Sequence, residues 1–218
     1  MHLFVPYLKQ RLQQALPGRN VQLKMAPEPV GTRGPERKME PTPHARQSSV
    51  LVLFYPNKEM ELEILLTLRS SDIDHGGQIS FPGGRSEEGE TPVETALREA
   101  REEVGIDPGQ VHIAGQLTKL FVSHSNNDVT PVVGYMEEQP ELSLDPREVE
   151  EAFSVELESL LGKKNLTVED WNLRNHTFKV PYWDVHRVPL WGATAMMLNE
   201  FLELYREFRS EAHNAGID

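Results

Sequence analysis

Residues 84–106 read GRSEEGETPVETALREAREEVGI, and the rest of the chain is best understood outward from them. Thr91-Pro92-Val93-Glu94 has the form of a capping box with proline at the first helical position. Gly105 stands where a C-terminal cap belongs. The pattern predicts a helix over residues 91–104. On a wheel of about 100° per residue, Val93, Ala96, Leu97, Ala100 and Val104 share one narrow face, which is expected to be buried. Glu99, Glu102 and Glu103 fall on the opposite, exposed side at i, i+3 and i+4, so they are neighbours. Like charges so placed destabilise a helix by roughly 0.2–0.5 kcal/mol per pair. Arg98 and Arg101 offset part of that. On the helix alone, two readings stay open: a solvated acidic face, or a seat for a hard divalent cation. Mg²⁺ takes oxygen ligands in octahedral geometry and keeps several waters. Carboxylates one turn apart reach such an ion and leave positions for water and a substrate phosphate.

Upstream, Phe81-Pro82-Gly83-Gly84 gives a backbone free to approach a ligand closely. Residues 49–55, SVLVLFY, are a continuous apolar run and read as a buried strand. Residues 61–68 alternate, with Leu62, Ile64, Leu66 and Leu68 on one face, and read as a second strand after a Pro56-Asn57-Lys58 turn. Residues 79–81 are a strand fragment that Pro82-Gly83-Gly84 breaks. Downstream, residues 111–117 and 129–136 read as strands and residues 155–161 as a short helix. Residues 193–208 form a long amphipathic helix with Met197, Phe201, Leu204, Tyr205 and Phe208 on its apolar side. Near the start, Leu8, Leu12, Ala15 and Leu16 recur at helical spacing, and Pro17-Gly18 would end that helix. Residues 18–48 read as irregular, and hold Lys24, Arg33, Arg37, Lys38 and Arg46. They form either a solvated arm or one that drapes near an anionic site. There is no internal repeat and no regular βαβ rhythm, so a mixed-sheet α/β or α+β domain is expected.

The chain has 218 residues, with 22 Lys+Arg against 34 Asp+Glu, a formal net charge of −12. That length suits one domain with an extension. At 38% hydrophobic and 26% charged, the composition is that of a soluble globular protein. The absence of cysteine excludes disulfides, thiolate metal ligands and Cys nucleophiles, and fits a reducing compartment. No apolar run approaches the roughly 18 residues of a membrane span, and residues 1–18 lack the pattern of a signal peptide. The expected location is the cytoplasm, with no membrane partner. An acidic chain is a poor nonspecific binder of nucleic acid. If the substrate is anionic, a local basic patch or bound cations must supply the attraction.

Loop and helix together resemble the Nudix box, G-x5-E-x7-R-E-U-x-E-E-x-G-U, where U is a bulky aliphatic residue. Gly84, Glu90, Arg98, Glu99, Glu102, Glu103, Gly105 and Ile106 fit it, and only Ala100 departs, at a position that faces the core. This resemblance implies an α/β/α sandwich around a mixed sheet, and a hydrolase of nucleoside diphosphates linked to another group. It implies Mg²⁺ or Mn²⁺ held chiefly by Glu99 and Glu103, with Glu102 contributing and a carbonyl of Gly83 or Gly84 adding an oxygen. Arg98 would hold Glu90 and orient the site. Glu99, Glu102, Arg98 and Glu90 are thus the implied catalytic set. The base that accepts the proton of the attacking water is Glu99 or, outside the box, Glu148, Glu150 or Glu151.

Residues 65–84, LLTLRSSDIDHGGQISFPGG, resemble the signature of the coenzyme A pyrophosphatase group, L-L-T-x-R-S/A-x3-R-x3-G-x3-F-P-G-G. Leu65, Leu66, Thr67, Arg69, Ser70, Gly77 and residues 81–84 match. The stretch between Ser70 and Gly77 is one residue short, and Asp74 stands near the place of the second arginine. Pro131-Val132-Val133-Gly134, Glu148-Val149 and residues 190–195 look like the same group. The resemblance covers roughly residues 49–208, which divides the chain into an N-terminal helix and basic arm, residues 1–48, and a Nudix domain, residues 49–218. Removing the arm is expected to change substrate affinity more than metal dependence. Arg69, Gly83 and Gly84 are expected at the substrate; for Arg69 a structural salt bridge is the alternative. His75 and Gln78 either reach ligand or stabilise their loop. Trp171, Trp183 and Trp191 are expected in the core or an interface. The implied substrate is CoA or acyl-CoA, with 3′,5′-ADP and (acyl-)4′-phosphopantetheine as products. The rivals are another diphosphate (ADP-ribose, NADH, a dinucleotide polyphosphate) and a non-catalytic nucleotide sensor. By analogy with the family, a homodimer is also implied.

Overall fold

The computed structural model describes residues 2–31, 38, 40–71, 76–162, 164–173 and 175–216. The helices are α1 (Phe4–Arg11), α2 (Arg19–Gln22), α3 (Pro92–Val104), α4 (Leu157–Leu161) and α5 (Gly192–Ala215). The strands are β1 (Glu28–Pro29), β2 (Arg46–Pro56), β3 (Leu62–Arg69), β4 (Ile79–Ser80), β5 (Gly83–Arg85), β6 (His112–Gln116), β7 (Leu120–Val122), β8 (Asn127–Tyr135), β9 (Val149–Glu156), β10 (Leu166–Leu173) and β11 (His176–Trp183).

The apolar run in β2 makes it the centre of the main sheet. It pairs antiparallel with β3 at one end, antiparallel with β5 at the other, and parallel with β8 along nearly its whole length. Strand order is β4-β3-β2-β8-β6, with β9 on β3 and β7 on β8. The run is continuous because both faces of β2 are covered. Leu51, Leu53 and Tyr55 pack toward Ala96, Ala100 and Val104 of α3. Val52 and Phe54 pack on the other face with Phe4 and Leu8 of α1 and Phe201 of α5. Helices thus sandwich a mixed sheet, as the resemblance implies. A smaller sheet runs β1-β11-β10. Among the described residues no helix is long and apolar enough to cross a membrane.

Several elements differ from the sequence expectation. α1 begins at Phe4, because Phe4, Val5 and Leu8 are its buried residues, and it ends at Arg11, before Leu16. Residues 18–48 include α2, a following 3₁₀ turn and β1. Gly83–Arg85 is a strand, although its glycines suggest only a break. Residues 155 and 156 close β9, and only the remainder of the expected short helix is helical. The β10–β11 hairpin has no counterpart in the expectation, since β10 is mostly exposed and carries no clean alternation. Arg33, Arg37, Asp74 and His75 lie outside the described residues.

Candidate active site

The capping box of α3 is formed as its sequence suggests. The Glu94 amide donates to Thr91 Oγ1 at 3.3 Å, and the Thr91 amide donates to Glu94 Oε2 at 2.8 Å. Gly105 closes the other end with φ 75°. Burial of Ala96, Ala100 and Val104 then fixes the roll of the helix and turns Glu99 and Glu103 toward β5. Two glycines let β5 pass between β2 and those carboxylates. A methyl group on Gly84 would lie 2.5 Å from the Glu99 carboxylate. A methyl group on Gly83, where φ is 155°, would overlap the Ser49 carbonyl oxygen of β2. The Gly83 amide instead donates to Glu103 Oε2 at 3.0 Å. Here the wheel needs correcting. Glu103 is 2% exposed, not on a solvated face. It sits at the flank of the apolar stripe, and β5 covers that flank.

Arg98 ties the box together. Its Nε and Nη2 donate to the two oxygens of Glu90 at 2.7 and 3.0 Å. Nη1 donates to Glu99 at 2.9 Å and to Glu102 at 3.2 Å, and Nη2 also reaches the carbonyl of Arg85 at 3.0 Å. This guanidinium holds the Glu90 carboxyl down at about 2. Burial raises Glu99 despite its contact with Arg98. Burial also pushes Glu103 up to about 7, against the opposing pull of the Gly83 amide and of Arg69. Arg69, at the end of β3, stands 3.6 Å from Glu103, an ion pair rather than a hydrogen bond. Gly84, Glu90, Arg98, Glu99, Glu102 and Glu103 thus converge on one patch, and so do Gly83 and Arg69, while Gly105 caps the far end of α3 and Ile106 is buried in the core.

Three carboxylates on one helix, one of them buried with its charge poorly compensated, are a hard-oxygen donor set suited to Mg²⁺ or Mn²⁺. Among the described residues, no three Asp, Glu or His side chains are already grouped around one ion position. Arg98 Nη1 occupies Glu99 and Glu102 instead. To ligate an ion, those two must exchange one guanidinium nitrogen for it, while Arg98 keeps Glu90 through Nε and Nη2.

The geometry separates the three acids outside the box. Glu150 and Glu151 are held by Arg187, and Glu151 also by His186. Glu148 is in no ion pair among the described residues, and its charge adds to burial in raising both Glu99 and Glu103. Its carbonyl accepts from the Ser70 amide, which brings its loop to the end of β3. Trp183 is 1% exposed in the core, whereas Trp171 and Trp191 meet edge-on, centroids 5.3 Å apart, at a partly exposed site. The sequence reading misses Thr95, a buried residue of α3 whose hydroxyl bonds Glu90 at 2.9 Å, and the carbonyl of Arg85, which accepts from Arg98. A register for β5 is what would reveal them.

The NUDIX domain family matches residues 45–176. Nudix hydrolase 3 of Caenorhabditis elegans is 32% identical over 160 residues, 65% of this chain and 66% of that one. Uncharacterized Nudix hydrolase NudL of Pectobacterium atrosepticum is 34% identical over 166 residues, 74% of this chain and 84% of that one. The chain spans 56–66% of the length of the first curated relatives it matches. Among solved structures, the Nudix hydrolase RenU of M. smegmatis superposes with a TM-score of 0.53 at 19% identity, over 77% of this chain and 87% of that one, a likeness of fold.

Proposed function

The chain belongs to the Nudix family, and from that premise we propose that it is a metal-dependent hydrolase cleaving the diphosphate of CoA or acyl-CoA to 3′,5′-ADP and (acyl-)4′-phosphopantetheine. The observation that carries the reading is the placement of Glu99 and Glu103 against the glycines of β5, with Glu103 buried and, among the described residues, Arg69 as its one cationic partner. Glu99, Glu102 and Glu103 would hold Mg²⁺ or Mn²⁺. A bound ion of this kind neutralises clustered phosphate charge and lowers the pKa of a water it holds. Arg98 fixes Glu90 and sets the position of Glu99. Arg69 offers a guanidinium fork to a phosphate, a task that suits its planar donors. Glu148 accepts the proton of the attacking water, because its two neighbours are already engaged by Arg187. Positioning and electrostatics supply most of the catalysis in such a reaction.

The motif over residues 65–84 supports CoA as substrate. A second reading, a diphosphate such as ADP-ribose, NADH or a dinucleotide, is favoured by one observation: the motif's second arginine is missing, and Asp74 stands near its place. Product analysis decides between them, with CoA, dephospho-CoA, ADP-ribose and NADH each incubated with Mg²⁺ or Mn²⁺. Preferred cleavage of CoA into two phosphorylated halves is expected. Preference for another diphosphate would overturn the substrate and leave the chemistry, and no turnover of any would leave only a sensor.

A further inference from the structure

Strands β2 and β5 carry two arginines that the carboxylate site does not use. In their register Ser48 stands opposite Arg85, and Arg46 lies two residues along β2 on the same face. Diagonal neighbours of this kind are about 7–8 Å apart, close enough for two guanidinium groups to converge on one anion. Arg69, Arg98, Arg147 and Arg187 all stand beside carboxylates. The side chains of Arg46 and Arg85 make no ion pair or hydrogen bond among the described residues. Both line a cleft of about 660 Å³ with His44, Ser48, Ser49 and Glu87. The acids on the rim do not cancel this charge outright: Glu90 is already neutralised by Arg98, while Glu87 and Glu88 are exposed to solvent. The cleft adjoins the carboxylate site at its rim, since Glu90, which Arg98 holds, lines it too.

In a chain of net charge −12, a polyanionic substrate is repelled at long range, so local unpaired cations decide where its phosphates settle. We propose that Arg46 and Arg85 form a binding site for a phosphomonoester on the nucleotide half of the substrate, separate from the diphosphate that is cleaved. This rests on the CoA reading above, and it assigns to two residues the discrimination between CoA and substrates that lack a 3′-phosphate. A planar fork of donors binds such a group bidentately, and two forks on one face of a sheet close around it.

Calorimetric titration of the full chain with 3′,5′-ADP and with 5′-AMP tests the site without turnover. The full chain binds 3′,5′-ADP more tightly. Arg46→Gln and Arg85→Gln each cut that preference by about tenfold, the size of one charge-assisted hydrogen bond, and Arg→Lys at either position restores part of it. Glu87→Gln removes a like charge from the rim and tightens 3′,5′-ADP by about two- to fivefold. Equal affinity for the two nucleotides, or variants that discriminate as well as the unaltered chain, would overturn the site. Kinetics on CoA and dephospho-CoA then separate the two readings. Failure to turn over any diphosphate, with nucleotide discrimination intact, would overturn the proposed function and not the site. Turnover without discrimination would do the reverse.

Discussion

Adjacent residues in β5 make opposite demands on the same substitution. Gly83 has a left-handed φ, and a Cβ there would collide with the backbone of Ser49. Neither chain can yield, so Gly83→Ala is expected to cost about 1–3 kcal/mol of stability. At Gly84 the nearest atoms are the carboxylate end of Glu99, a flexible side chain that can move away. Gly84→Ala should therefore cost less than about 1 kcal/mol while displacing a proposed metal ligand. Denaturant melts paired with turnover check the contrast: Gly83→Ala should lose mainly stability, and Gly84→Ala mainly rate. Equal stability losses would show that β5 is not pinned to Ser49 as described. Glu103→Gln asks whether the burial of this acid serves an ion. The amide oxygen can still accept from Gly83, and there is no charge to desolvate. Without metal the variant is expected to melt at or above the unaltered chain. Added Mg²⁺ stabilises the unaltered chain by mass action and should leave the variant nearly unmoved. Turnover should fall by roughly a hundredfold or more. A variant stabilised by Mg²⁺ as fully as the unaltered chain would remove Glu103 from the ligand set.

Helix α3 is the element most legible in the sequence, and the reason is local. Its cap, its proline, its terminal glycine and its apolar stripe all lie within residues 91–105, so no distant partner is needed to place them. The same locality allows a pH test. The Thr91 amide holds the Glu94 carboxyl below its ordinary value of 4.5. A carboxyl depressed in the folded state contributes stability above its unfolded value, and that stability is lost as pH falls through the folded value. The unaltered chain should therefore lose stability on acidification below about pH 4.5, and Glu94→Gln should flatten part of that slope. Unfolding free energies measured from pH 6 to pH 3 decide it, and identical slopes would rule out the cap as a contributor. The strands β5, β9 and β10 were not legible in the same way. β5 is a strand because β2 lies beside it, not because glycine favours extended backbone. β9 is half-exposed and pairs with β3, which lies some eighty residues earlier. Glu103 illustrates the same limit at the site: helical periodicity gives its angle on α3, while its burial depends on a strand that only tertiary structure supplies.

Across the whole molecule, the proposed division at residue 48 follows chain order but does not separate two cores. Phe4 and Leu8 are fully buried in one cluster with Val52, Phe54 and Phe201. Phe4→Ala is thus expected to cost about 3–5 kcal/mol, and a deletion of residues 1–48 would report on stability before it could report on substrate affinity. A second tie is polar. Glu200 of α5 is 0% exposed, and it accepts from the Gly18 amide at 2.9 Å, Gln22 Nε2 at 2.8 Å and Thr118 Oγ1 at 2.7 Å. Nothing in the spacing of residues 18–22 announces this, because the acceptor lies some 180 residues away. Gln22 is held for its amide donor, since its own carbonyl oxygen is buried without a partner among the described residues. Gln22→Ala leaves one oxygen of a buried carboxylate short of a donor and should cost about 1–3 kcal/mol. If the cost comes from that stranded oxygen, Glu200→Gln should destabilise the Gln22→Ala background much less than the unaltered chain. A double-mutant cycle then gives a coupling of about 1 kcal/mol or more. Additive losses would mean that Gln22 acts through packing alone, and that Phe4 and Leu8, rather than the Glu200 bonds, fasten the N-terminal segment to α5.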